Sequence, residues 1–264
     1  MDISSDENFG TLKRWNYNSR TPFYEDHCAD IRGSGGELYP RNVKPDKIEF
    51  FSPEMCRSVQ FNFEQHVTVK GVPGYKYSPG AEVFDNGTLI EENACYCNGR
   101  CMPSGILNVS ACRQDAPVYL SLPHFYYADS SYLDALEGLH PIKEKHELYL
   151  TLEPNTGVIA DISARMQVNA LLQPLSDFSL FDGVPEMMFP VFWFDQKVVM
   201  SDELVSGLSL LFSLPNINRI VSSFVVAVGL LCMLSVLLYV ICCKGKNFKE
   251  HILTREEIPL KAKS

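Results

Sequence analysis

The clearest pattern along the chain lies at residues 146–170, "HELYLTLEPNTGVIADISARMQVNA". Leu148, Leu150 and Leu152 share one face there, and Val158, Ala160, Ile162, Ala164, Met166 and Val168 resume at period two after "EPNTG". Apolar residues on every second position mark a strand with one face on a core. Pro154 and Asn155 suit a type I turn, and Gly157 supplies the left-handed residue that closes it with a bulge. The segment is therefore predicted to be a long antiparallel hairpin. Upstream, Val59, Phe61 and Phe63 alternate with polar neighbours, and Val67 and Val69 resume after a shift, which predicts further strands with a wetter face. Fifteen prolines are spread over residues 1–219, as short strands and loops require and a helical bundle does not tolerate. "IRGSGGELYP" at 31–40 has glycines but no lysine followed by serine or threonine, so it reads as a turn and not as a phosphate loop.

The pattern changes at Ile220. From there to Cys243 the chain reads "IVSSFVVAVGLLCMLSVLLYVICC", 24 residues without a charge. As a helix it would extend about 36 Å at roughly 1.5 Å per residue, enough for a hydrocarbon core of about 30 Å. Apolar on every face, it predicts a transmembrane helix. Arg219 alone precedes it closely, whereas Lys244, Lys246 and Lys249 follow at once. This bias places the tail, 244–264, in the cytosol and residues 1–219 in the lumen or outside the cell.

Four cysteines crowd into "CYCNGRCMPSGILNVSAC", residues 95–112. Such spacing serves a zinc site or disulfides equally well. The external placement decides for disulfides and against a metal or other cofactor, since Cys28, Cys56, Cys95, Cys97, Cys101 and Cys112 then lie in an oxidising compartment. Six cysteines allow fifteen pairings, and spacing selects none of them. Sequons at Asn86-Gly87-Thr88 and Asn108-Val109-Ser110 point to glycosylation on the same side of the membrane. Cys242 and Cys243, at the inner edge of the helix, are candidates for palmitoylation.

The first 219 residues carry 17 basic against 29 acidic side chains, a net charge of −12, which argues against a nucleic-acid partner. Nothing in them forms a reaction centre. His124, His140 and His146 belong to no HExxH pair, no serine sits in a GxSxG elbow, and Glu91, Glu92, Glu144 and Glu186 read as solvated carboxylates. No enzyme is expected. The aromatic and methionine-rich run "EMMFPVFWFDQ", 186–196, reads first as core and second as a ligand-facing or membrane-facing surface. "MDISSDENFGTLKRWNYNSR" has neither an apolar core nor a basic leader, so an amino-terminal part upstream is expected to carry the export signal.

"FFSPEMCRSV" at 50–59, "APVYLSLPHFYYAD" at 116–129, "LEPNTGV" at 152–158 and "ARMQVN" at 164–169 resemble segments of the CD36 family, the class B scavenger receptors, and more nearly an invertebrate member. The order of the six cysteines and the terminal helix fit as well, from about residue 10 to about 245. The resemblance implies a mainly β fold with short helices. The chain would be the carboxy-terminal part of an irregular antiparallel β-barrel ectodomain, crossed by an apolar tunnel and followed by one transmembrane helix. It would lack the first membrane helix, several strands and the apex, and expressed alone it should not give an active surface receptor. The resemblance also implies the pairs Cys28–Cys95, Cys56–Cys112 and Cys97–Cys101. It implies a receptor that binds and transfers lipids or lipoprotein-like particles at the plasma membrane, with specific ligand-binding residues not assigned. The alternative is an adhesion, phagocytic or lysosomal sorting receptor with a protein partner. In the tail, Glu256 stands four before Leu260, but Lys261 occupies the second aliphatic position of an acidic dileucine signal, which favours the cell surface.

Overall fold

The computed structural model describes residues 1–5, 8–97, 99–175 and 177–253, with side chains up to residue 242. Two units are distinct, one covering Met1–Val205 and the other starting at Ser206. In the first, β1 (Lys47–Ser52), β2 (Arg57–Val69) and β3 (Val72–Ser78) form an antiparallel meander. The β2–β3 register slips between Phe63 and Gln65, a bulge within the long strand β2. A loop region follows, with the short strands β4 (Leu107–Asn108) and β5 (Tyr119–Ser121) and the single-turn helices α1 (Ser131–Asp134) and α2 (Lys143–His146). Then come β6 (Tyr149–Leu152), β7 (Ile159–Leu172) and β8 (Met187–Val199).

The sheet order is β1-β2-β3-β6-β7-β5-β4, and β8 pairs with β7. β6 takes the first part of β7 and β5 a later part. β8 covers Asp161–Leu172 of β7 and so lies along its opposite edge. The closed barrel implied by the resemblance is corrected here: the sheet is open. A barrel needs its first and last strands to pair, whereas among the described residues no strand joins β8 to β1 or to β4.

The core has most of the residues that the alternation marks, with Tyr77 besides, whereas Val67 and Val69 are only half-buried. Val59, Phe61, Tyr77, Leu148, Leu150, Leu152 and Met166 are buried in one cluster, with Ile162, Ala164 and Val168 half-buried against it. The hairpin loop between β6 and β7 is closed by Glu153 N–H to Val158 O (2.8 Å) and Gly157 N–H to Glu153 O (2.9 Å), with Gly157 at φ +72°. A second, smaller cluster of Ile106, Tyr119, Phe125, Tyr132 and Met188 gathers the loop region.

Helix α3 runs from Asp202 to Leu253 and begins well before the charge-free stretch. Asp202–Cys242 is long and apolar enough to cross a membrane. All side chains from Ile220 to Cys242 are exposed. In a helix this apolar, that exposure suits lipid rather than water as the surrounding medium.

Candidate functional site

A cleft of about 530 Å³ opens over β2, β3, β6 and β7, lined by charged rather than apolar groups. Lys76 on β3 meets Glu64 (2.9 Å) and Glu147 (2.6 Å), and Lys143 on α2 meets the same two carboxylates. Glu147 is buried and Lys76 nearly so, so these two charges satisfy each other where water is scarce, while Glu64 and Lys143 lie toward the solvent side. Burial pushes the Glu64 carboxyl up, but hydrogen bonds from Lys143 and Lys76 outweigh it and hold the group below its ordinary value. Burial also raises the Tyr149 phenol to about 12, and its hydroxyl donates to Asp161 Oδ2 at 3.0 Å.

The floor beside this cleft is a row of buried polar side chains. Alternation puts Ser163, Arg165, Gln167 and Asn169 of β7 on the face opposite the core, where solvent would be the simple expectation; all four are buried. Arg165 reaches Asp195 on β8 (3.0 Å) and the carbonyls of Glu144 (3.0 Å) and Glu147 (3.1 Å). Gln167 Oε1 accepts from the His124 N–H (2.8 Å), and Gln167 Nε2 donates to Asn169 Oδ1 (2.9 Å). Periodicity alone misses this row. The hint available in the sequence is that "ARMQVN" puts large polar groups opposite a segment, "SLPHF", that is itself rich in apolar residues.

The histidines read as separate converge. His124 and His146 stack with ring centroids 4.4 Å apart at 9°, and the Trp193 ring stands edge-on to both, at 6.3 and 5.8 Å. His124 Nδ1 accepts from the His140 N–H (3.1 Å), and His146 Nδ1 from the Ile142 N–H (2.9 Å). Burial foremost, then neighbouring positive charge, lowers both imidazoles, His146 to about 4. No nucleophile stands beside the pair in these contacts. Glu91, Glu92, Glu144 and Glu186 are exposed.

Cys28 is bonded to Cys95, Cys56 to Cys112 and Cys97 to Cys101, with Cα separations of 6.0, 6.4 and 4.6 Å. His27 lies 3.6 Å from Cys95 Sγ, but both sulfurs of that cluster are joined to each other and offer no thiolate to a metal. At the two sequons the hydroxyl of residue i+2 donates to the asparagine Oδ1, Thr88 to Asn86 and Ser110 to Asn108 (2.6 Å). Asn86 Nδ2 also donates to Met102 O (2.8 Å). Cys242 is exposed on α3; the side chain of Cys243, and Glu256 and Leu260, lie outside the described residues. The run 186–196 is not core. Met188 is buried, but Phe189, Val191, Phe192, Trp193 and Phe194 are exposed along β8, whose second edge has no strand partner among the described residues.

Residues 3–240 match the CD36 family. The chain is 40% identical over 225 residues to protein peste of Drosophila melanogaster, covering 84% of this chain and 40% of that protein. It is 31% identical over 257 residues to human lysosome membrane protein 2, covering 96% and 53%. To scavenger receptor class B member 1 of Sus scrofa it is 31% identical over 240 residues, covering 90% and 47%. The chain belongs to the CD36 family, and the match extends over most of its length. It spans about half the length of the curated relatives it matches.

Proposed function

We propose that the chain is the carboxy-terminal part of a scavenger receptor-like membrane protein, an invertebrate member of its family, that binds and transfers lipids or lipoprotein-like particles. The observation that carries this reading is the family match over residues 3–240 together with an apolar helix ending at the same place. The 40% identity to a Drosophila protein supports the invertebrate assignment. In this reading residues 1–219 face the lumen or cell exterior, 220–243 span the bilayer, and 244–264 are cytosolic. Asn86 and Asn108 carry glycans, the three cystines form in the secretory pathway, and Cys242 and Cys243 accept acyl chains. A lipid needs an apolar contact surface, worth about 0.8 kcal/mol per CH₂ removed from water, and the exposed aromatic side chains of β8 offer one.

Localisation at the plasma membrane accords with the likeness to a scavenger receptor class B member. The second reading, a lysosomal or endosomal sorting receptor with a protein partner, is favoured by the likeness to lysosome membrane protein 2. Uptake of fluorescent phospholipid and of labelled lipoprotein decides, in cells expressing an upstream-extended protein whose surface level is measured in parallel. Uptake above empty vector is expected. Surface protein with neither uptake nor lipid binding would sink the first reading, and accumulation in lysosomes would favour the second.

A further inference from the structure

The stacked imidazoles do a job that the receptor reading does not use. A neutral imidazole carries one N–H and one acceptor nitrogen. In His124 and His146 the acceptor is Nδ1, because each Nδ1 receives a backbone N–H, from His140 and Ile142 respectively. Their single protons therefore sit on Nε2. An added proton has only Nδ1 to go to, where it would face an N–H donor and remove the hydrogen bond that holds residues 140–142. Two protonated rings 4.4 Å apart would also repel each other.

Among the described residues no carboxylate makes a hydrogen bond or ion pair to either ring. His140 and Lys145 come from their own loop and α2, and Arg165 comes from β7; all three disfavour a proton on one ring or the other. Glu147, after α2, is committed to Lys76 and Lys143. Asp195 on β8 is committed to Arg165 and Ser163. Glu144 is exposed, with its carbonyl taken by Arg165. Trp193 closes the pair from β8 with a ring edge.

We propose that His124 and His146 form an acid-operated latch: neutral, their Nδ1 atoms hold residues 140–142 and keep α2 against β7, and protonation in an acidified compartment releases this segment. The sign follows from linkage. A released imidazole titrates near 6.5, whereas His146 in the closed arrangement is held at about 4, so the released form binds the proton more tightly. The closed form is fully favoured above about 6.5 and loses ground as pH falls from there toward about 4. At pH 5 this favours release by roughly 30-fold for His146 alone. His124, shifted the same way, adds to it. Release would carry Lys143 away from Glu64 and open the charged cleft on that side.

Hydrogen exchange of the full chain in lipid nanodiscs at pH 7.4 and 5.0, corrected for the intrinsic pH dependence of exchange, tests the latch. Protection of the amides of 140 and 142–147 is expected to fall at least tenfold at pH 5.0, with amides 159–163 of β7 unchanged. Equal protection at both pH values overturns the proposal. In the wild-type chain, ¹³C-labelled histidine shifts should show two rings taking up protons over the same pH range as the loss, and loss of protection while both rings stay neutral overturns it as well. The variant His124→Asn/His146→Asn, folded at neutral pH, should have no pH-dependent step, and persistence of the step in it would assign the effect elsewhere.

Discussion

Arg165 and Asp195 face each other across the β7–β8 pair, with Nε and Oδ2 3.0 Å apart, and the same guanidinium holds the carbonyls of Glu144 and Glu147. One side chain thus ties the edge strand, the long central strand and the end of α2 together. Its planar fork matches three acceptors in fixed directions, which a lysine cannot do. Removing it would strand two carbonyls and leave the partly exposed Asp195 carboxylate with Ser163 alone.

Arg165→Met is therefore expected to destabilise the chain by about 3 kcal/mol, chiefly by leaving the Glu144 and Glu147 carbonyls without their donor. Asp195→Asn, a third exposed and still able to accept, should cost about 1 kcal/mol. Denaturant unfolding followed by intrinsic fluorescence in detergent micelles gives both numbers. Equal losses for the two variants would show that the carbonyl contacts contribute nothing.

Glu153 offers a second case of a charge used inward. Its side chain is fully buried, and its two oxygens accept from the Asn155 N–H (3.0 Å) and side-chain amide (2.8 Å) and from the Thr156 N–H (2.7 Å) and hydroxyl (2.6 Å). Glu153→Ala should cost about 3 kcal/mol by leaving two backbone donors without partners, and Glu153→Gln, which keeps one oxygen, about half of that. The measurement is the same unfolding midpoint, and a cost for alanine below that for glutamine would contradict the role.

How much of this was legible in the sequence depended on which force set each feature. Leu148, Leu150, Leu152 and Met166 were legible because burial of apolar area imposes period two on the chain itself. The bulge after Phe63 was not legible, because Val59, Phe61, Phe63, Val67 and Val69 all fall on the same alternating positions on either side of it. Arg165, Gln167 and Glu147 were not, because their burial comes from segments that cover them in three dimensions, and a polar residue on the second face of a strand looks the same whether covered or wet. The stack of His124 on His146 joins a turn after β5 to the end of α2, so no motif spacing announces it. The barrel implied by resemblance failed for a related reason: closure is a property of strand ends meeting, and here β8 extends along β7 as an edge. The same edge position explains why aromatic residues at 189–194, which composition assigned to a core, stand exposed.

The three cystines should differ in their effect on stability. Cys28–Cys95 and Cys56–Cys112 span sequence separations of 67 and 56, whereas Cys97–Cys101 spans 4. By chain entropy the long loops contribute about 4 kcal/mol each and the short ring about 2. Paired Cys→Ser replacement should therefore abolish export from the endoplasmic reticulum for either long pair and reduce it only modestly for Cys97/Cys101. Equal retention of all three variants would count against loop length as the deciding quantity.

Each sequon should give one glycan, with the short side chains of Thr88 and Ser110 acting on Asn86 and Asn108 through the Oδ1 contact. Thr88→Ala and Ser110→Ala, made in an upstream-extended protein, are each expected to remove one glycosidase-sensitive mobility step, and the double variant both. A protein whose mobility is unchanged by glycosidase would place residues 1–219 on the cytosolic side instead.

The loop that joins β6 to β7 is docked as well as turned. The Asn42 N–H donates to Asn155 O (3.2 Å) and the Val43 N–H to Pro154 O (2.7 Å), which brings the backbone of residues 39–43 over Gly157. A Cβ on Gly157 would lie 2.5 Å from Pro40 O and 2.6 Å from Tyr39 O, and the residue sits at φ +72°. Gly138 has a similar φ of +86° but nothing within 4 Å of such a Cβ, so it isolates the backbone term. That term alone is about 1 kcal/mol for alanine in the left-handed region. Gly138→Ala should therefore cost about 1 kcal/mol, and Gly157→Ala at least about 3, since backbone oxygens on both sides cannot step aside without giving up the docking hydrogen bonds. Unfolding midpoints of the two variants compare the terms directly. Equal costs would mean that the 39–43 segment yields freely, and that the loop is held by its own turn and not by its neighbour.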